Sequence, residues 1–197
     1  MSISTPFLDL KKYEKLEKIE ESDSKEFYKV TEQGGQQIYC AKILIKENNI
    51  TTKKAANFLL PKVSKSEINE LSRNIIHISK MHHPSILQFI GCTLNDFENH
   101  PNPVIITEYS PNGSLRSILD LQKQLKKISI WDDTKKLINI YGVASGMSYL
   151  HSCDIVHGEL NTQNILMDDF LCPKINNFYN TKINLTRLTN RGKITAT

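Results

Sequence analysis

The chain has 197 residues, of which 39% are hydrophobic and 23% are charged, and its formal net charge is +4. A chain of this length can form a domain that buries roughly 70% of its unfolded surface, so a core of ordinary size is expected. The Lys and Arg residues are spread along the sequence rather than gathered in one stripe, which argues against a nucleic-acid-binding protein.

The sequence also argues against a membrane protein. No apolar run reaches the roughly 18 residues that cross a bilayer, and Asp9, Lys11 and Lys12 leave no room for a signal-peptide core. We therefore expect a cytoplasmic protein.

The four cysteines are far apart and form no C-x-x-C pair, which predicts reduced, mostly buried thiols rather than a zinc site or disulfides. They are Cys40, Cys92, Cys153 and Cys172.

The N-terminal part of the chain reads as a series of strands. Residues 1–9 are a short lead-in, and the alternating patterns that follow predict an antiparallel hairpin and then further strands, with a polar loop at 93–103. The expected strands are Tyr13–Ile19, Phe27–Val30, Ile38–Leu44, a strand entered through His83–Gly91, and Val104–Tyr109.

The C-terminal part reads as mainly helical. After a turn at Ser110–Leu115, one helix is predicted from Leu115 to Leu125 and a longer one from Trp131 to His151, with its N-cap signal at Asp132. The apolar residues of the longer helix cover more than one face, so burial on several sides is expected. Residues 181–197 are polar without a strong period and predict a disordered tail.

Two motifs follow the longer helix at a fixed spacing. His157-Gly158-Glu159-Leu160 precedes Asn164-Ile165-Leu166, and Asn177-Phe178-Tyr179 begins thirteen residues after Asn164. This pattern resembles the catalytic loop H-R-D-L-x-x-x-N and the D-F-G turn of eukaryotic protein kinases. Ile38–Leu44 resembles the V-A-I-K strand of that family, and His83–Gly91 resembles its H-P-N-I segment, with an ending similar to the tyrosine-kinase-like group.

The resemblance runs from about residue 10 to residue 180 and implies an α+β, bilobal fold. Residues 10–109 would form a five-stranded antiparallel N-lobe sheet with one large helix, and residues 110–180 an incomplete, mainly helical C-lobe. The A-P-E motif and the later C-lobe helices of the family are not found. The Trp131–His151 helix should therefore expose an apolar face, which predicts a protein partner or self-association.

The residues that carry phosphoryl transfer in the family are substituted here. Glu159 stands at the position of the catalytic Asp, and its extra methylene displaces the carboxylate by about an ångström. Asn177 stands at the position of a magnesium-binding Asp and brings no charge, which leaves Asn164 as a weak metal ligand. Gly158 replaces the Arg that pairs with a phosphorylated activation loop, so that form of switching should be absent.

The family also positions ATP through its N-lobe, and two of those devices are altered. Asn74 stands where a helix Glu orients the strand lysine, and Glu70 or Glu67 would replace it only if the helix were displaced along its axis. The glycine positions of G-x-G-x-x-G are occupied by Glu20, Ser22 and Lys25. Cβ atoms at these positions, together with nearby acidic residues, should weaken phosphate binding.

Other features of the nucleotide site are retained. Lys42 is identified as the strand lysine, Thr107 as the residue at the back of the adenine pocket, and the backbone of Glu108 and Tyr109 as the hinge edge. Leu166 would line the same slot. The resemblance thus implies at most weak ATP binding without magnesium. The positions of the family's internal hydrophobic column also keep packing side chains, namely Ile78, Phe89, His157 and Phe178.

Three functions remain open. The combined losses favour a pseudokinase, a catalytically inactive kinase-like domain that serves as a binding or regulatory module. One alternative is an active Ser/Thr protein kinase that uses Glu159 and Asn164 with ATP. The other is a non-functional, truncated kinase copy.

Overall fold

The computed structural model describes residues 6–22, 24–45, 78–124 and 131–178. The chain divides into two compact units, residues 1–81 with 88–109 and residues 82–87 with 110–197. The predictions for Glu67, Glu70, Asn74, Tyr179 and the tail at 181–197 lie outside the described residues.

The first unit contains the expected five-stranded antiparallel sheet, with the strand order β1-β2-β3-β5-β4. The strands are β1 (Tyr13–Ser22), β2 (Lys25–Glu32), β3 (Ile38–Leu44), β4 (Phe89–Thr93) and β5 (Val104–Glu108). β1 and β2 are longer than predicted, because Ser22 pairs with Lys25 and the ladder continues to the tip of the hairpin. The predicted N-lobe sheet is confirmed.

The core of the first unit lies on one face of this sheet. Alternate residues of β2, β3 and β5 are almost fully buried there, among them Val30, Ala41, Ile43, Val104 and Ile106. Leu8 and Leu10, from the N-terminal segment, pack against the same cluster. The opposite face consequently carries the side chains between them, including Lys42.

The lead-in segment extends the sheet beside β4. The N–H of Leu8 donates to the Cys92 carbonyl, and the N–H of Cys92 donates to the Pro6 carbonyl, both at 2.9 Å. Gly91 allows this approach, because a Cβ on Gly91 would lie 2.4 Å from Cγ of Leu8. Residues 6–8 are therefore part of the sheet structure.

In its described residues, 82–87, 110–124 and 131–178, the second unit contains two helices and a small hairpin. These are α1 (Leu115–Lys123), α2 (Asp133–Ser152), β6 (Ile165–Met167) and β7 (Pro173–Ile175). Asp132 caps α2 as predicted, accepting a hydrogen bond from the N–H of Lys135 at 2.7 Å. Trp131 lies outside the helix and is instead buried in a cluster with Ile118, Ile165, Met167 and Leu171. Among the described residues, neither helix is long and apolar enough to cross a membrane.

α2 packs against β7 through a face of small residues. A Cβ on Gly142 would lie 2.6 Å from Cγ of Pro173, and a Cβ on Gly146 would lie 2.8 Å from Cδ1 of Ile175. The opposite face is exposed, with 66% of Leu137, 68% of Ile140 and 74% of Tyr141 accessible to solvent. The helix thus exposes an apolar face, as predicted, and the expected burial on several sides does not extend to this face, which we call the exposed stripe.

All four cysteines lie in the described residues, and none forms a disulfide. Cys92 is buried, whereas Cys40, Cys153 and Cys172 are half-buried, so the thiols are less buried than predicted. Burial raises the pKa of Cys40 and of Cys92 to about 11. These two thiols are therefore protonated and unreactive at neutral pH.

Candidate functional site

In the second unit, the side chain of His157 connects the loop at residues 157–164, which resembles the kinase catalytic loop, to the segment before Asn177. The side chain is buried, and its Nε2 lies 2.8 Å from the Asn176 carbonyl oxygen. Its Nδ1 accepts a hydrogen bond from the N–H of Glu159 at 3.3 Å. Because Nδ1 is an acceptor, the proton must be on Nε2, which donates to Asn176. The His157 side chain thus links the two motifs through two hydrogen bonds.

Asn164 and Asn177 are connected by a continuous series of hydrogen bonds. Nδ2 of Asn164 donates to the Glu159 carbonyl at 2.7 Å, which turns Oδ1 of Asn164 toward Asn177. Nδ2 of Asn177 then donates to that Oδ1 at 2.6 Å. The oxygen that the resemblance assigns to a metal therefore accepts a hydrogen bond from the side chain that replaces the metal-binding Asp.

This set of donors does not fit a magnesium ion. Magnesium is usually held by one or two carboxylates together with water and substrate phosphates. The series is built from amide and peptide groups, all of which are neutral, and Glu159 contributes its backbone N–H and carbonyl to it. Glu159 itself is exposed. The arrangement can stabilise the loop, but it supplies no charge for holding a cation.

The backbone at two substituted positions is left-handed. Gly158 has φ +75° and Asn177 has φ +62°. Asn tolerates this conformation better than most residues, and Gly adopts it without strain. An Arg at position 158, as in the family motif, would be strained in this loop.

In the first unit, Lys42 lies on the sheet face opposite the apolar core. It pairs directly with Phe27 on β2 and with Ile105 on β5, and its Nζ lies 5.9 Å from the centre of the Phe27 ring. Burial, and after it the positive charge of Lys25, lower the pKa of Lys42 to about 8. The lysine is thus in a desolvated position, where its charge is disfavoured.

The predicted hinge residues are held by bonds within their own unit. Thr107 is buried, and its hydroxyl donates to the Glu108 carbonyl at 3.1 Å. The N–H of Glu108 donates to the Gln88 carbonyl at 2.9 Å, while its carboxylate accepts the N–H of Gln88 at 2.8 Å. Tyr109 lies beside Lys29, whose Nζ is 5.0 Å from the ring centre. The N–H of Glu108 is therefore already engaged.

The remaining predicted nucleotide residue belongs to the second unit. Leu166 is half-buried in β6, where it pairs with Lys174 and forms a bridge to Ser114. The structure thus groups Lys42, Thr107, Glu108 and Tyr109 in the first unit, and Gly158, Glu159, Asn164, Leu166 and Asn177 in the second.

Lysines lie among the acidic residues of the hairpin that takes the place of the glycine-rich loop. Lys18 forms ion pairs with Glu21 at 2.9 Å and Glu26 at 3.0 Å. Lys25 lies on the same face as Lys42, because it stands two residues before Phe27 on β2. Lys18 thus pairs with one of the acidic residues near the predicted phosphate site, and the weakening of phosphate binding stays a prediction.

Sequence reasoning did not single out Phe27 as a site residue. The family motif continues as G-x-G-x-x-G-x-V, so the Val position lies two residues after Lys25 and is Phe27 here. Likewise, Cys40 occupies the Ala position of V-A-I-K, two residues before Lys42. The sequence could therefore have identified Phe27, because the Val position of this motif lies two residues after its last glycine position.

A second cluster of polar residues, Asp96, Glu98 and His100, lies in the loop between β4 and β5. The Asp96 carboxylate accepts hydrogen bonds from the N–H groups of Glu98 and His100 and from the amide of Asn102. Burial acts to raise the pKa of Asp96, but these hydrogen bonds outweigh it and hold the pKa below its usual value. Glu98 also pairs with Lys15 at 2.5 Å. These contacts account for the cluster as a means of ordering the loop.

A five-stranded antiparallel sheet with a lysine in its third strand, and a later loop in which a His is hydrogen-bonded to the segment before Phe178, are features of a protein-kinase domain. The family described as protein tyrosine and serine/threonine kinase matches residues 27–189. The chain belongs to this family.

Individual relatives agree with this assignment. The chain is 31% identical over 170 residues, 85% of its length, to cysteine-rich receptor-like protein kinase 42 of Arabidopsis thaliana. It is 34% identical over 127 residues, 63% of its length, to cysteine-rich receptor-like protein kinase 10 of Oryza sativa subsp. japonica. It is 39% identical over 106 residues, 53% of its length, to the serine/threonine-protein kinase TNNI3K of Homo sapiens. The matches span 24%, 19% and 12% of these three relatives.

Proposed function

We propose that this chain is a pseudokinase domain of the tyrosine-kinase-like group, which does not transfer phosphate and acts as a cytoplasmic binding or regulatory module. The observation that carries the proposal is the 2.6 Å hydrogen bond between the Asn177 amide and Oδ1 of Asn164. This bond joins the two side chains that would have to hold magnesium, and both are neutral.

The energetic argument concerns charge. Phosphoryl transfer is catalysed mainly by positioning and by electrostatic stabilisation of the transferring group. Loss of one such electrostatic contact costs roughly 100- to 1000-fold in rate. The displaced carboxylate of Glu159 acts on a separate part of the reaction, the acceptance of the substrate proton, so its cost multiplies the first.

The two alternatives are less well supported. An active kinase would need Oδ1 of Asn164 as a metal ligand, but this oxygen already accepts a hydrogen bond from Asn177. A non-functional copy would have no reason to keep a buried sheet core or a hydrogen-bonded loop. Both features support a domain that folds for a purpose other than catalysis.

The test is a thermal melt with ATP in magnesium and then in EDTA, together with a phosphate-transfer assay. We expect a small rise in melting temperature at millimolar ATP that is equal in both buffers, because a ligand stabilises the folded state by mass action. Transfer should stay at background. A magnesium-dependent rise with transfer that Lys42→Met abolishes would refute the proposal, whereas transfer that survives Lys42→Met would indicate a contaminating kinase.

We further propose that the binding surface of the module is the exposed stripe of α2 and that its occupant is a second copy of the chain. The stripe has large side chains in its first half and small ones, Ala144 and Ser148, farther along. In an antiparallel pair related by a two-fold axis, the large residues of each copy would lie against the small residues of the other. Leu137, Ile140 and Tyr141 expose on the order of 400 Å², about half of the ~800 Å² per partner in a standard interface. A weak dimer is therefore expected.

A further inference from the structure

The sheet face opposite the apolar core places an aromatic ring beside Lys42, the lysine of the predicted nucleotide site. Phe27 and Lys42 are directly opposite each other on β2 and β3, so their side chains leave the sheet on the same side. Nζ of Lys42 lies over the Phe27 ring, 5.9 Å from its centre. At this distance the ammonium group is attracted to the face of the ring.

The ring competes with a phosphate for the same amine. In an active kinase this lysine reaches the α and β phosphates, and the opposing position on β2 carries a Val. A Phe extends farther from the sheet than a Val does. Its ring therefore reaches closer to Nζ than a Val side chain would, and it offers the ammonium group a favourable contact.

The neighbouring residues on this face increase the effect. Cys40 lies two residues before Lys42 on the same face and pairs with Thr107 across β5. Both Phe27 and Cys40 are larger than the Val and Ala of the family motifs. The side chains next to Lys42 on this face are thus larger than those of the family motifs, and Phe27 adds the most side-chain volume.

We propose that Phe27 keeps nucleotide phosphates away from Lys42 and is the residue that sets the low nucleotide affinity of this domain. The inference rests on the proposed function, in which ATP binding is weak and independent of metal. It makes Phe27 a determinant of ligand affinity, with no part in chemistry.

The test is a gain of binding in the variant Phe27→Val, measured by calorimetric titration with ATP in EDTA. We expect at least a tenfold lower Kd than for the unchanged chain. The matched control is Tyr28→Val, which removes an aromatic ring from the next residue on the other face of β2 and should leave the Kd unchanged. The double variant Phe27→Val with Lys42→Met should lose the gain, because the gain acts through the amine.

The possible results separate this inference from the proposed function. A Kd for Phe27→Val that is equal to or higher than that of the unchanged chain overturns the inference, as does an equal gain in Tyr28→Val. If Phe27→Val does not melt cooperatively, Phe27→Leu keeps the apolar volume and is expected to show a smaller gain in the same direction; an unchanged Kd there also overturns the inference. Phosphate transfer by the unchanged chain would refute the proposed function without affecting the binding comparison.

Discussion

At the scale of single residues, the difference between an amide and a carboxylate at position 177 determines what the loop can hold. The Asn177 amide donates to Oδ1 of Asn164, whose own Nδ2 donates to the Glu159 carbonyl. A carboxylate at position 177 would place one oxygen against another. Either Asn164 would turn and give up its bond to Glu159, or a cation would have to lie between the two oxygens.

The variant Asn177→Asp should therefore be less stable without metal and should respond to magnesium. We expect the free energy of unfolding in EDTA to fall by about 1–3 kcal/mol, the cost of leaving a buried polar group unsatisfied, and to recover in part when magnesium is added. The measurement is chemical denaturation in EDTA and in magnesium. Asn177→Ala is the control, because it loses the same bond but gains no charge and should not respond to magnesium. An identical magnesium response in Asn177→Asp and the unchanged chain would contradict this explanation.

At the scale of secondary-structure elements, the sheet combines a conventional apolar face with a face that buries a charge. Val30, Ala41 and Ile106 alternate with residues of the opposite face, and this alternation predicts the strands. On the other face of β3, burial lowers the pKa of Lys42 to about 8 from an ordinary value of 10.5. The charge of Lys42 on β3 therefore lowers the stability of the fold at every pH at which its amine is protonated.

The pH dependence of stability follows from this pKa. Because the folded pKa is below the unfolded one, the unfolded chain binds more protons between about pH 8 and pH 10.5, and the Lys42 contribution to stability rises with pH across that window. Below pH 8 the charged amine destabilises the fold by a constant amount. We expect Lys42→Met to remove this rise, measured as the difference in unfolding free energy between variant and parent from pH 7 to pH 10.5. Because Cys40 titrates in the same pH range and interacts electrostatically with Lys42, both chains carry Cys40→Ala, and a difference that does not vary with pH would show that Lys42 has an ordinary pKa.

The sequence predicts the elements well and the site only in part. The strands and the N-cap at Asp132 follow from local patterns, because alternation and capping involve residues close in the chain. The length of the β1–β2 hairpin does not follow from a local pattern. Ser22 pairs with Lys25 only because the preceding residues of β1 and β2 are already paired. The bond between Asn164 and Asn177 depends on the orientation of two amides thirteen residues apart, and no local pattern encodes that orientation.

At the scale of the whole molecule, the chain consists of two compact units, and its second unit exposes an apolar helix face. Leu137, Ile140 and Tyr141 recur at the spacing of one face of a helix, and the buried face of α2 is made of small residues such as Gly142 and Gly146. α2 therefore packs against β7 through its small residues and presents its large ones to solvent. Such a distribution is typical of a surface that binds another protein.

Self-association through the exposed stripe should be weak and should depend on Tyr141. Because the three large side chains supply about half the area of a standard interface, on the order of 400 Å² per copy, a mixture of one- and two-chain species is expected only at high micromolar concentration. Sedimentation velocity over a concentration series should show this mixture, and Tyr141→Glu should give one chain throughout, since pairing would bury its charge. Phe170→Glu is a matched control, because Phe170 is also 74% exposed but lies outside α2. One chain at every concentration for the parent, or an equal loss of pairing in Phe170→Glu, would rule out the stripe as the self-association surface.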